Sequence, residues 1–286
     1  MAPPHGINTK DPAAVADAVR RVFASLGAQA SHALIDRVFT DVTRLFWGQY
    51  PGYRAIDMFY HDFEHTLQAT VCLVHILEGR HRAGAAPALT RRDLELALIA
   101  VLLHDSGYIK RTDDARGTGA KYTLVHVTRS CEFARTYLPP LGVEPGEIDD
   151  IANAIGCTGP VNKFNVMPFR RPEARLIACI LVTADYLGQM SAADYVEELP
   201  VLFGEFTEAY EHENLPEDKR FFKNERQLIE KTPEFWERYV RPMLAGDAGA
   251  MYRFLDRPDG SNPYLEAVEA NIAAVRRQIG SATPVA

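Results

Sequence analysis

Four short fragments of the sequence carry side chains that bind metal ions or move protons. They are the segment His61 to His65 (HDFEH), the pair His104-Asp105, the single His126, and Asp185. Imidazole and carboxylate groups are suitable ligands for Zn, Mn, Fe or Mg. His61 and His65 are four residues apart, a spacing that places two side chains on one face of a helix. We therefore expect both imidazoles to reach the same site.

His104, Asp105 and Asp185 are unusual because of the apolar sequence around them. The pair follows the run LALIAVLL, and Asp185 lies within CILVTADYL. Such groups are costly to bury without a partner, and a metal ion is an economical one. Taken singly, Asp185 could instead cap a helix or pair with an arginine, and His126 could be a packed or surface residue. The metal hypothesis rests on the combination of three apolar helices that each carry a ligand.

Helical patterns dominate the segments that must hold these residues. Apolar residues recur at helical spacing from Phe63 to Leu77, and the run before His104 is apolar on nearly all sides, as in a central helix. Asp11 and Thr90 are suitable N-caps, whereas Gly79 and Gly107 are suitable helix ends. No alternating strand pattern is present. The sequence predicts an all-α fold in a single domain over residues 1–286.

Composition and charge exclude several function classes. The chain has 286 residues, 47% of them hydrophobic, and a net charge of −7, so we expect no nucleic-acid partner. The apolar runs are much shorter than the roughly 20 residues of a membrane span, so no membrane partner is expected. The N-terminal residues lack the apolar segment of a secretory signal, which predicts a cytoplasmic protein.

The order H…HD…D resembles the HD superfamily of metal-dependent phosphohydrolases. The segment YHDFEHT is similar to the YHN-x-x-HA segment of class I cyclic-nucleotide phosphodiesterases, and VTADYLGQM is similar to their segment around the last aspartate ligand. The resemblance covers about residues 58–190. It implies an HD-domain helical bundle there, followed by a helical extension over about residues 191–280.

The resemblance implies a role for each of the chemical residues. It implies a divalent ion (Zn, Mn, Fe or Mg) held by His65, His104, Asp105 and Asp185. The ion would polarise the phosphoryl oxygen and lower the pKa of a bound water. Asp105 would thus be catalytic as a ligand, and His61 would be the general acid that protonates the leaving oxygen.

The sequence departs from the two-metal members of this superfamily. They have two further histidines between the HD pair and the final aspartate. His126 can be one of these, but the segment AIGCTGP places Cys157 and Thr158 where the other is expected. We therefore expect at most a second, weaker Mg or Mn ion, bridged by Asp105 and mostly hydrated.

The predicted substrate-binding residues are Lys121, Arg129 and His126. Lys121 follows a glycine-containing stretch, and Arg129 is three residues after His126, so both can face one cleft. The alternative for both cations is solvated surface charge, which is also our interpretation of Lys110 and Arg111.

The predicted function is metal-dependent hydrolysis of a small phosphate ester, a monoester or a diester. A nucleotide or cyclic nucleotide is the first substrate to consider, by analogy alone. One alternative is an HD-type di-iron oxygenase, which requires a full histidine set, and this chain is one short. Another is a non-catalytic HD module for binding or regulation, against which the complete first ligand set argues. Assembly into a homo-oligomer stays open.

Overall fold

The all-α prediction is confirmed. The structure, a computed structural model, describes residues 6–27, 33–159 and 164–281, and no strand occurs within those ranges. The helices are α1 (Pro12–Ser25), α2 (Ala33–Phe46), α3 (Phe63–Arg82), α4 (Arg91–Leu103), α5 (His126–Tyr137), α6 (Pro145–Gly156), α7 (Pro172–Met190), α8 (Tyr195–His212), α9 (Glu225–Phe235), α10 (Arg241–Ala245) and α11 (Pro263–Ser281). Short 3-10 segments join several of them, among them 106–108 and 119–122.

Helices α3, α4 and α7 form the centre of the molecule. Every residue of α4 from Asp93 onwards is buried, as expected for a helix that is apolar on all sides. Helix α7 packs closely on α3 at Gly188, where a β-carbon would lie 2.9 Å from the backbone nitrogen of Ala69. Because Asp185 and His65 lie about one turn away from this close approach, the packing of α7 on α3 brings them together.

The N-cap predictions at Asp11 and Thr90 are confirmed. The Asp11 carboxylate accepts a hydrogen bond from the Ala13 amide, at 2.9 Å. Thr90 forms a reciprocal capping box with Asp93. The glycine prediction for the end of α3 is wrong, because the helix continues through Gly79 to Arg82. Gly79 instead lies against the carbonyl of Phe254, where no β-carbon has room.

The start of α3 also differs from the sequence prediction. The helix begins at Phe63, and Asp62 is its N-cap, with its carboxylate accepting from the His65 amide at 3.0 Å. His61 therefore precedes the helix, and our prediction that it shares a helical face with His65 is wrong. An N-cap aspartate marks the start of a helix because it accepts a hydrogen bond from a first-turn amide that has no partner within the helix.

The C-terminal helices pack directly on the helices that hold the chemical residues. The side-chain carboxamide of Asn271 on α11 donates hydrogen bonds to the carbonyls of Met190 and Ala192, at 2.9 and 2.8 Å. Glu208 on α8 accepts hydrogen bonds from the amide and hydroxyl of Thr118, each at 2.5 Å. The predicted extension thus completes the surroundings of the site.

Across the described residues, none of the helices taken singly is long and apolar enough to span a membrane; α7 and α8 pass that test only as a pair bent by 109°.

Candidate metal centre

Four side chains, from α3, α7 and the two residues that follow α4, lie close together. His65 on α3 directs Nε2 to within 3.2 Å of both Asp105 Oδ2 and Asp185 Oδ1. His104, which caps the end of α4, directs Nε2 to 3.3 Å from Asp105 Oδ2 and 3.5 Å from Asp185 Oδ1. His65, His104 and Asp105 are buried, and Asp185 nearly so. The structure thus brings together the four side chains that the sequence predicts as ligands.

The spacing of the His65, His104 and Asp185 ligand atoms suits a single metal ion, whereas Asp105 lies near both histidines but outside that group. Two ligand atoms that lie 2.0–2.1 Å from one tetrahedral ion are about 3.3 Å apart. The four imidazole-to-carboxylate distances, 3.2 to 3.5 Å, bracket that value. The ligand atoms of His65, His104 and Asp185 all lie within 4.8 Å of one another, so this group could hold an ion.

Two buried atoms of the cluster have no hydrogen-bond partner in the described part of the chain. They are Nε2 of His104 and Oδ2 of Asp105. A buried polar atom without a partner is costly, so such atoms are rare. A cation between them would satisfy both, which favours the view that the cluster could hold a metal ion.

Hydrogen bonds to the second ring nitrogen orient both histidines, as is typical of histidines that bind metal ions. The Nδ1–H of His104 donates to the Val101 carbonyl at 2.7 Å, which leaves the Nε2 lone pair for the ion. Nδ1 of His65 lies 3.3 Å from the Gln189 carboxamide nitrogen. Rotating that carboxamide by 180° presents its oxygen to the Nδ1–H, so Gln189 can play the same part for His65.

The charges of the cluster favour a cation strongly. Burial disfavours a charged His65, but the two nearby carboxylates, Asp105 and Asp185, outweigh burial and raise its pKa to about 10. Burial likewise opposes ionisation of Asp185, yet His104 and His65 lower the pKa of this carboxyl to about 2. Protons and a divalent ion therefore compete for the same imidazole lone pairs, and metal binding releases protons.

His61 lies beside this cluster and is held by a glutamate that the sequence did not reveal. Its Nδ1 is 2.6 Å from Oε2 of Glu205, and its ring stacks on Tyr108 with centroids 4.7 Å apart. Oε1 of Glu205 accepts the backbone amides of Tyr60 and His61, at 3.0 and 3.3 Å. The centroids of the His61 and His65 rings are 5.5 Å apart. With Nδ1 engaged, Nε2 is the atom of His61 that can exchange a proton with a bound molecule.

Glu205 comes from α8, in the segment that the sequence assigns to an extension. Only 5% of the residue is exposed. One sequence signal could have found it: Glu205 is three residues after Leu202 and four before Ala209, so it falls on an apolar helical face. An acidic residue on such a face requires a buried partner, which here is His61.

His126 faces the other oxygen of Asp105. Its Nε2 is 3.7 Å from Asp105 Oδ1, and its Nδ1 bonds the Thr123 carbonyl at 2.7 Å. Burial lowers the pKa of His126 to about 4, so the ring is neutral near pH 7 and the lone pair on Nε2 is available to a cation. The Thr158 hydroxyl bonds the Ile155 carbonyl at 2.8 Å, and Cys157 is buried in the apolar core.

The predicted substrate cations Lys121 and Arg129 both have structural partners. The Lys121 ammonium lies 2.5 Å from an Asp114 oxygen and 2.6 Å from the Arg116 carbonyl. Arg129 donates to the Gly107 carbonyl at 2.6 Å and stacks on Tyr122. Their substrate-binding role stays a prediction.

Our interpretation of Lys110 as a solvated surface charge is wrong. Lys110 is buried, and its ammonium forms an ion pair with Asp57 at 2.6 Å. A buried ammonium needs such a partner, since desolvation alone would make its charge unfavourable. Arg111 is exposed, as expected, and lies over the Tyr53 ring.

The fold and the site define an all-α protein with a buried His/Asp cluster that could hold a metal ion. Residues 52–278 match the Npun_R2479-like family, and the chain belongs to that family. Neither the curated proteins nor the solved structures contain a match to this chain.

Proposed function

We propose that this protein is a metal-dependent phosphohydrolase of the HD type. The observation that carries the proposal is the convergence of His65, His104, Asp105 and Asp185 in the chain order H…HD…D, with two buried atoms that lack a hydrogen-bond partner among the described residues. The donor set of two imidazoles and two carboxylates suits Zn, Mn or Fe, and is less typical of Mg.

The residues around the cluster supply the rest of the chemistry. A divalent ion bound there would polarise a phosphoryl oxygen and lower the pKa of a water molecule. His61 donates the Nε2 proton to the leaving oxygen of the ester. Glu205 holds Nδ1 of the same ring at 2.6 Å, which orients the imidazole for the transfer.

The proposed substrate is a small phosphate ester. The net charge of −7 disfavours a polyanion such as a nucleic acid, whereas one phosphoryl group needs only the local charge of the ion. Nucleotides and cyclic nucleotides are the first candidates, by the resemblance alone. The two alternatives, a di-iron oxygenase and a non-catalytic module, make different predictions for metal content and turnover.

Replacement of Asp105 tests the proposal most directly. We expect the purified protein to contain about one transition ion per chain and to hydrolyse some members of a panel of phosphomonoesters, cyclic nucleotides and a generic phosphodiester. Asp105→Ala should lose both the ion and the hydrolysis, because Asp105 contacts both histidines of the cluster.

Asp41→Ala is the matched control. Asp41 is also a buried aspartate, but its partners are Arg37 and Tyr137, at 2.6 and 3.1 Å, and none of the proposed ligands. This variant should lose stability and keep the ion. Full metal occupancy in Asp105→Ala would overturn the site assignment. Two irons per chain with oxygen uptake would favour the di-iron oxygenase. A bound ion without any turnover would favour the non-catalytic module.

A further inference from the structure

A cavity of about 180 Å³ lies directly beside the metal centre. His65 forms part of its wall. The other residues that matter here are four carboxylates and two tyrosines, namely Asp62, Glu64, Asp194, Glu198, Tyr60 and Tyr195. One cation, Lys10, also lies in the wall, and its ammonium is 3.7 Å from Glu64. The cavity therefore carries a negative excess close to the cluster.

Glu198 is less well compensated than Glu64. Its Oε2 is buried and has no hydrogen-bond partner among the described residues, whereas Glu64 is held by the Thr9 hydroxyl at 2.9 Å as well as by Lys10. Burial, and then the charges of Asp194 and Asp62, raise the pKa of Glu198. A positive group placed in the cavity would relieve this repulsion.

The two tyrosines supply an independent sign that the cavity receives a ligand. Tyr60 and Tyr195 are only 8% and 5% exposed. In the described part of the structure no hydrogen bond reaches either hydroxyl, although both residues line the cavity. Neither hydroxyl oxygen is among the fully buried atoms that lack a partner, so both are accessible to a molecule in the cavity. A phenol oxygen accepts a hydrogen bond from an ammonium group, and the ring faces attract its charge.

We propose that this cavity binds the ammonium end of the substrate while the phosphoryl group lies at the metal centre. The substrate class is then the phosphate esters of small amino alcohols. The inference rests on the proposed function, because His65 is shared by the cavity and the cluster. An alcohol or sugar would leave the Glu198 carboxylate uncompensated, which is why a cation fits better.

A binding measurement tests this proposal without turnover. The probes are 3-aminopropylphosphonate and butylphosphonate, which differ only in an ammonium group in place of a methyl group and have no ester bond to hydrolyse. By calorimetry on the metal-loaded protein, the ammonium probe should bind about 10- to 100-fold more tightly, the range for a hydrogen bond to a charged group. Glu198→Gln should remove most of that preference.

Glu197→Gln is the control, since it deletes the same charge from an exposed neighbouring position. It should keep the preference, which separates contact in the cavity from the general field of the protein. Equal affinities for the two probes, including no binding of either, would overturn the proposal. A second contrary result is displacement of 3-aminopropylphosphonate by Mg²⁺ or Ca²⁺ that is lost in Glu198→Gln. The cavity would then bind a divalent metal ion and not an ammonium group.

The outcomes also separate this proposal from the proposed function. A protein that hydrolyses propyl phosphate but shows no preference for the ammonium probe is a phosphohydrolase without an ammonium site. A protein that shows the Glu198-dependent preference but hydrolyses no ester keeps the binding site and loses the proposed reaction.

Discussion

Replacing Glu205 with glutamine tests how the protein uses His61. Glutamine has nearly the shape of glutamate, so the backbone amides of Tyr60 and His61 keep an acceptor. The change removes the negative charge that lies 2.6 Å from His61 Nδ1. The protonated imidazole thereby loses its charged partner, and it is the protonated form that acts as a general acid.

The size of the effect follows from that single contact. A hydrogen bond to a charged group contributes about 1.5–3 kcal/mol, and about 1.4 kcal/mol corresponds to a factor of ten in rate. Glu205→Gln should therefore slow hydrolysis by about 10- to 150-fold. His61→Ala removes the acid itself and should cost about 10²- to 10⁴-fold. Because Glu205 acts through His61, the double variant should be no slower than His61→Ala.

The assay compares two esters and the metal content on the same preparation. An alkyl ester has a poor leaving group that needs the proton, so both variants should slow it most. p-Nitrophenolate is a stable leaving group that needs no proton, so hydrolysis of a p-nitrophenyl ester should slow least. Both variants should retain the ion, since neither residue is among its four proposed ligands.

Glu208→Gln provides the matched control for Glu205→Gln. Glu208 lies one turn further along α8 and holds Thr118, with no contact to His61. It should keep the leaving-group dependence of the wild-type protein. The reasoning fails if Glu205→Gln matches wild type on both esters, if its effect adds to that of His61→Ala, or if His61→Ala loses the ion.

Two further predictions concern the ions and their support. Any second ion, between Asp105 Oδ1 and His126, should be weak, so activity should respond to Mn or Mg well above stoichiometric amounts; two ions per chain that survive extensive dialysis would refute this. Gln189→Leu should weaken the first ion about 10- to 100-fold, as expected when the partner of a ligand histidine is lost. Competition with a chelator measures it, and an unchanged affinity would show that Gln189 does not support His65.

The sequence by itself indicated the central helices, and its resemblance to the HD superfamily indicated the four proposed ligands. Apolar periodicity marks α3, α4 and α7 because the pattern of a helix is local to the chain. His104 and Asp185 stand out because each interrupts such a pattern with a group that is costly to bury. Capping aspartates and threonines are likewise visible, since a cap lies within three residues of the amide that it satisfies.

Only the tertiary structure decided which faces meet. The partner of His61 is 144 residues away, and no periodicity in the sequence pairs the face of α8 with that residue. The sequence also placed His61 inside a helix, whereas the Asp62 cap starts the helix later. Lys121 lies against Asp114 because a buried ammonium must find a carboxylate. Helical periodicity shows that a side chain points inward, but packing between distant segments determines what it contacts there.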